Sequence, residues 1–181
     1  MQKLVLKLIL VALAAIGCAG FAAVSAGAAE ETGTTCSSDS GVATLSPGIE
    51  EVAKVQNITI KGTLSGCTGS TGASATYVAH LKTTAGVTCA SLDAGGATSE
   101  GTVILKWGHG HGNSQGTLVV TGSPSSGFPL SGTVTSGPFE GLSMSSTLSG
   151  TSVFKGKGEP CTKKNKLKRI DVTGTTPFTI A

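Results

Sequence analysis

The chain is poor in charged and aromatic residues. Only 13% of its 181 residues are charged, and 4% are aromatic. A disordered polyelectrolyte carries far more charge, so that class is excluded. The few rings also leave little material for the flat platforms that bind sugars or single-stranded nucleic acid. Phe139, in a predicted turn, is the best candidate for an exposed ring.

The net charge gives no sign of a nucleic-acid partner. The formal charge is +3, but Lys3 and Lys7 belong to a predicted leader. Without these two, the 13 basic residues become 11, against 10 acidic ones. A nearly neutral protein has no global field that steers it toward nucleic acid.

Residues 1–29 predict a secretory signal peptide with a helical apolar segment. Lys3 and Lys7 supply a positive start, residues 8–24 are uncharged and apolar, and residues 25–29 are small. This order is typical of a leader that is cleaved here after Ala28 or Ala29. The mature chain would then be secreted and would have no membrane span.

Cys18 leaves a second mode of processing open. Residues 15–18 (AIGC) are similar to a bacterial lipoprotein box, in which the cysteine is acylated. Two acyl chains would anchor the protein to a membrane surface. The apolar run continues past Cys18, which favours the ordinary signal peptide.

Four cysteines remain after the leader, and we expect two disulfides. An even number of cysteines in an exported chain indicates a disulfide framework. The chain has no CxxC pair, which argues against a tetrahedral zinc site. A hairpin folded near Glu51 would bring Cys36 to Cys67, so we predict the bridges Cys36–Cys67 and Cys89–Cys161.

Glycine and alternating residues predict an all-β fold. The chain has 27 glycines, and Val, Ile and Leu alternate with Ser and Thr in many short runs. Such alternation is typical of strands with one buried face. We expect one domain over residues 41–181, an antiparallel β-sandwich (Ig-like or a flattened barrel) of about eight to ten short strands. Residues 30–40 would be a flexible segment before it, and no segment after the leader predicts a helix.

The clearest hairpin lies between residues 128 and 148. Phe128, Leu130 and Val134 alternate with polar residues, and Leu142, Met144 and Leu148 do the same. Residues 137–141 (GPFEG) between them are typical of a turn.

His109 and His111 are weak candidates for metal binding. A His-x-His pair places two imidazoles on one side of an extended chain, where they can chelate copper, nickel or zinc. His80 is the only other histidine, and nothing in the sequence places it nearby. A solvated, glycine-rich loop explains the pair better, because the surrounding glycines leave the segment without a preorganised geometry, so we predict no metal and no cofactor.

A basic cluster lies near the C-terminus and is a weak candidate for contact with an anionic partner. It could meet wall polymers, lipid headgroups or phosphate, and it could also serve only to discourage edge-to-edge strand pairing. Its members are Lys155, Lys157, Lys163, Lys164, Lys166, Lys168 and Arg169.

No pattern in the chain indicates catalysis. It has no Gly-x-Ser-x-Gly elbow set between a strand and a helix. It also has only three aspartates, with no informative spacing to a histidine. We therefore expect a protein that is not an enzyme.

Several segments resemble a group of uncharacterised secreted proteins of actinobacteria. The resemblance covers most of the mature chain and implies an exported, β-rich protein of about this size, with no activity attached. The segments are residues 45–48 (LSPG), 55–62 (VQNITIKG), 66–69 (GCTG), 77–82 (YVAHLK) and 133–139 (TVTSGPF).

Three function hypotheses follow. The first is a non-catalytic extracellular or cell-envelope module that binds a partner, such as an envelope component or another extracellular protein, or has a structural role. The second is a carrier of a small apolar ligand, which requires a sizeable dry cavity. The third is a secreted hydrolase, which requires a histidine within hydrogen-bond reach of an Asp or Ser in a cleft.

Overall fold

A computed structural model describes residues 32–69, 72–155 and 157–181. The predicted signal peptide and Cys18 lie outside the described residues. The described part contains nine strands, a five-residue helix and a short 3-10 turn. In chain order these are β1 (Thr34–Ile49), β2 (Asn57–Thr68), β3 (Ser74–Thr83), α1 (Cys89–Asp93), β4 (Ala97–Trp107), η1 (Gly108–Gly110), β5 (Asn113–Gly122), β6 (Phe128–Ser136), β7 (Ser143–Val153), β8 (Leu167–Gly174) and β9 (Phe178–Ile180).

The strands form a closed antiparallel barrel. Each strand from β1 to β8 pairs with the next, and β8 pairs back with β1. The closing register sets Ser40 opposite Thr173 and Ala43 opposite Ile170. β9 pairs with β1 and β7, so β8 and β9 together fill one of eight strand positions. The prediction of an all-β, antiparallel fold is confirmed, but the sheet closes on itself and is not a sandwich of two sheets.

Alternation along each strand fills the barrel interior with apolar side chains. In β5, Ser114, Gly116, Leu118 and Val120 are buried, and the residues between them are exposed. The same two-residue period holds along β3. Successive strand residues point to opposite faces, so one set lines the interior and the other meets solvent. The large number of Ser and Thr residues therefore reflects the wet outer face of the barrel.

Both ends of the barrel are closed by side chains from the loops. We call one the α1 end, because α1 lies in the loop between β3 and β4 there. We call the other the Trp107 end, because β4 ends there at Trp107. Leu92 of α1 is buried at the first. Phe139 is buried at the second and packs edge-on against Trp107, with ring centroids 5.4 Å apart. The sequence-based expectation of an exposed Phe139 is wrong, because the turn directs this ring inward.

Helix α1 is an element that the sequence analysis did not predict. Thr88 Oγ1 accepts a hydrogen bond from the Ser91 amide over 3.0 Å, and Ser91 Oγ accepts one from the Thr88 amide over 2.9 Å. This reciprocal cap satisfies two amides that a helix start would leave without partners. The cap uses Ser at the position where Glu or Gln is usual.

β1 begins at Thr34, earlier than expected. Residues 34–40 were predicted to be flexible, yet they pair with β2, β8 and β9. The segment is polar because many of its side chains face solvent.

The two disulfides lie at opposite ends of the barrel. Cys36–Cys67 joins β1 to β2 at the Trp107 end, and Cys89–Cys161 joins α1 to the loop between β7 and β8. Both pairings were predicted and are confirmed. Disulfides of this kind are consistent with an oxidising environment. Within the described ranges, no helix is long and apolar enough to cross a membrane.

Candidate functional site: a cationic groove

A groove at the α1 end collects most of the basic cluster. Its volume is about 390 Å³, and one apolar and one amide side chain, Val153 and Asn165, share its lining. Lys157 belongs to the same loop but does not line the groove. The basic residues that line it are Lys155, Lys163, Lys164, Lys166, Lys168 and Arg169. We call these six residues, with Val153 and Asn165, the cationic groove.

Three attachments hold the described part of the basic loop (residues 155 and 157–166) in place. Cys161 is bonded to Cys89 of α1. The buried Asn165 side chain donates to the carbonyl oxygens of Gly158, over 3.4 Å, and Glu159, over 3.2 Å. Lys166 binds Glu50, which follows β1. These attachments order the loop before a ligand arrives, which lowers the entropic cost of binding.

Two of the six cations have a carboxylate partner. Lys166 Nζ donates to Glu50 Oε1 over 3.1 Å, and Lys54 donates to the same oxygen. These two lysines hold the pKa of the buried Glu50 below its ordinary value. Arg169 Nε donates to Asp171 Oδ1 over 2.7 Å, in a half-exposed pair.

The other four lysines of the groove have no carboxylate partner among the residues that the structure describes. All four are exposed: Lys155, Lys163, Lys164 and Lys168. These four positive charges lie close together beside the low-dielectric interior of the protein. They therefore create a local positive potential that attracts anions. These residues were predicted as a basic cluster from the sequence, but their arrangement around one concavity was not.

The two histidines of the His-x-His pair are close together. A Cβ atom placed on Gly72 would lie 3.1 Å from His109 Cδ2 and 3.7 Å from His111 Cδ2, so both rings flank this glycine. His80 lies in β3 on the outer face, 3.3 Å from the Thr59 hydroxyl. No group of three or more His, Cys, Asp or Glu side chains suited to a metal occurs in the described residues.

Ser114 has a structural role. Residues 112–116 (GNSQG) match the spacing of a nucleophile elbow, but Ser114 lies in β5 and is fully buried. Its hydroxyl accepts from Trp107 Nε1 over 2.7 Å and donates to the Pro138 carbonyl over 2.6 Å. Both hydrogen-bonding functions of the hydroxyl are therefore used in holding the Trp107 end together.

Asp39 and Tyr77 form a polar pair inside the barrel that the sequence analysis missed. Tyr77 Oη donates to Asp39 Oδ1 over 2.8 Å, and Asp39 is 2% exposed. Gly62 makes room for the ring, since a Cβ atom there would lie 2.5 Å from Tyr77 Oη. Burial raises the pKa of Asp39, an effect that the Tyr77 hydrogen bond partly offsets, and burial with the neighbouring carboxylate raises the pKa of Tyr77.

Two small cavities lie in the apolar interior among the described residues. The larger, about 60 Å³, lies under Leu92 and is lined almost entirely by apolar side chains. A second, about 20 Å³, lies beside Asp39 and Tyr77. Pockets for small-molecule ligands are usually about 300–1,000 Å³. The interior therefore does not favour the carrier hypothesis, whereas the cationic groove falls within that range of volumes.

Comparisons with protein-family models, with curated proteins and with solved structures found no match.

Proposed function

We propose that this chain is a non-catalytic extracellular or cell-envelope module that binds an anionic partner in the cationic groove. The observation that carries the proposal is the convergence of six basic side chains on one groove, four of them without a carboxylate partner among the described residues. The signal-peptide pattern of residues 1–29 and the two disulfides support an extracellular location.

Lysines in the groove and isolated lysines elsewhere on the surface differ in what they gain from an anion. An isolated exposed lysine is well solvated and gains little from one ion pair. Several lysines on an ordered loop repel one another, so an anion that enters the groove relieves this repulsion and meets all of them. Binding should therefore be concentrated at the groove and should weaken as salt is added.

A pair of matched triple variants tests the proposal. The groove variant carries Lys163→Gln, Lys164→Gln and Lys168→Gln. The control carries Lys61→Gln, Lys82→Gln and Lys106→Gln, which are exposed lysines of β2, β3 and β4. Both variants lose three positive charges, so any difference between them reports position and not net charge.

The measurement is the salt concentration that elutes each protein, with its disulfides formed, from a phosphocellulose column. We expect the groove variant to elute at clearly lower salt than the wild type, and the control to elute close to the wild type. Equal shifts for the two variants would show that only net charge matters and would overturn the proposal.

A further inference from the structure

We infer that the ligand of the cationic groove is an extended polyanion, with charges repeated along a chain, and not a compact anion. This inference rests on the proposed function and makes it more specific. It follows from the number of unpaired charges, the size of the groove and the chemistry of its donors.

The number of charges exceeds what one anionic group can satisfy. Lys166 and Arg169 already have carboxylate partners, but Lys155, Lys163, Lys164 and Lys168 have none among the described residues. A single phosphate carries at most two charges near neutral pH, so it would leave several lysines uncompensated. A chain of anionic groups places a charge near each lysine in turn.

The groove is also large for a single anion. Its volume of about 390 Å³ is within the range of pockets for molecules of drug size. The cations lie on two sides of the groove, since Lys155 follows the end of β7 and Lys168 and Arg169 belong to β8. A polymer that lies along the groove can meet both sides.

The donors favour charge over shape. Five of the six are lysines, which act as point charges on flexible stems and lack the rigid fork of arginine. Arg169 uses its Nε–H on Asp171. A site built in this way attracts repeated anionic groups without a fixed bidentate geometry.

Two other polyanionic ligands, single-stranded nucleic acid and an anionic lipid bilayer, fit the cationic groove less well. None of the described residues that line the groove is aromatic, so the bases of a single-stranded nucleic acid have no platform for stacking there. Among the lining residues that the structure describes, Val153 alone is apolar, and the site is concave, so these residues form no apolar wedge of the kind that holds amphipathic surfaces on a lipid bilayer. The favoured ligand is a flexible polymer whose charged groups lie on its backbone.

The test compares three phosphate probes of increasing length: orthophosphate, tripolyphosphate and long-chain polyphosphate. Binding to the wild-type protein is measured by calorimetry over a series of salt concentrations. We expect affinity to rise at least about tenfold from tripolyphosphate to the long chain. With about 0.7–0.9 counterions released per neutralised phosphate, four lysines give a slope of log K against log salt near −3. In the groove variant described above the slope should shrink by about one for each lysine removed, and in the control it should not change.

The outcomes separate this inference from the proposed function. If orthophosphate or tripolyphosphate binds as tightly as the long chain, the groove holds a compact anion, and only the inference fails. If no phosphate probe binds even at low salt, the proposed function fails as well. Tighter binding of single-stranded oligothymidylate or of vesicles rich in anionic lipid than of polyphosphate would also overturn the inference.

Discussion

The burial of Asp39 makes the stability of the barrel depend on pH, and the hydrogen bond from Tyr77 limits this dependence. Because burial raises the pKa of Asp39 in the folded chain, the unfolded chain releases this proton at lower pH. Stability from this group is therefore greatest below the ordinary value of 3.8, falls as pH rises toward the raised pKa, and then stays lower. Asp39 Oδ2 has no hydrogen-bond partner in the described structure, which adds to the cost of its charge.

Replacing Tyr77 with Phe should increase this pH dependence. The substitution removes the hydrogen bond that lowers the pKa of Asp39, so the buried carboxylate loses its partner. We expect a loss of about 1–3 kcal/mol in the free energy of unfolding at neutral pH. The loss should be smaller near pH 3, where the carboxyl group is protonated in both states.

Urea unfolding followed by the fluorescence of Trp107 measures this effect from about pH 3 to about pH 8. Ser114→Ala is the control, because it removes the hydrogen bonds that the Ser114 hydroxyl makes with Trp107 Nε1 and with the Pro138 carbonyl, and neither involves a titrating group. Its cost should not vary with pH over this range. An equal cost of Tyr77→Phe at both ends of the range would show that Asp39 is not the titrating partner.

At the scale of elements, the Cys89–Cys161 disulfide links the basic loop to α1 and so shapes the cationic groove. Replacing both cysteines with serine should cost about 4 kcal/mol in the chain-entropy treatment, since the bridge closes a loop of 72 residues. It should also weaken the binding of long-chain polyphosphate several-fold, because the loop loses the attachment that orders it.

The other disulfide provides a matched control for this prediction. The double variant Cys36→Ser with Cys67→Ser removes the disulfide at the Trp107 end, which closes a loop of 31 residues. We expect a similar cost in the free energy of unfolding. Its affinity for polyphosphate should match the wild type. Affinity is measured by calorimetry at a temperature where circular dichroism shows both variants folded. Equal losses of affinity would show that the tether does not order the groove.

The β6–β7 hairpin and α1 differ in whether they could be predicted from the sequence. The hairpin was predicted, because its apolar residues alternate on both sides of a Gly-Pro turn and its contacts are local in sequence. Helix α1 was not, because five residues are too few to show a helical period, and its cap depends on Thr88 and Ser91 meeting in space. A periodic pattern of apolar residues identifies a helix only when the helix is clearly longer than one helical turn, and α1 is not.

At the scale of the whole molecule, the closure of the barrel could not be predicted from the alternation of apolar and polar residues. Alternation shows that each strand has one buried face, and both a sandwich and a barrel satisfy this condition. The choice depends on the pairing of β1 with β8, such as Gly41 with Val172, which joins residues far apart in sequence. The cationic groove could not be predicted from the sequence for the same reason, since Lys155 and Lys168 line one groove only when β7 and β8 pair.

The barrel separates the source of stability from the proposed binding site, and Phe139 tests this separation. Phe139 is fully buried against Trp107 at the end opposite the groove. We expect Phe139→Ala to lower the free energy of unfolding by about 3–5 kcal/mol, through lost burial and a cavity. Urea unfolding measures this loss, and Val52→Ala, at a side chain that is 63% exposed, should change little.

The affinity of Phe139→Ala for long-chain polyphosphate should equal that of the wild type when both are folded, because changes at distant sites without shared partners act independently. A large loss of polyphosphate affinity would show that the two ends of the barrel are coupled, and the groove would then depend on the packing of the whole interior and not on its own loop.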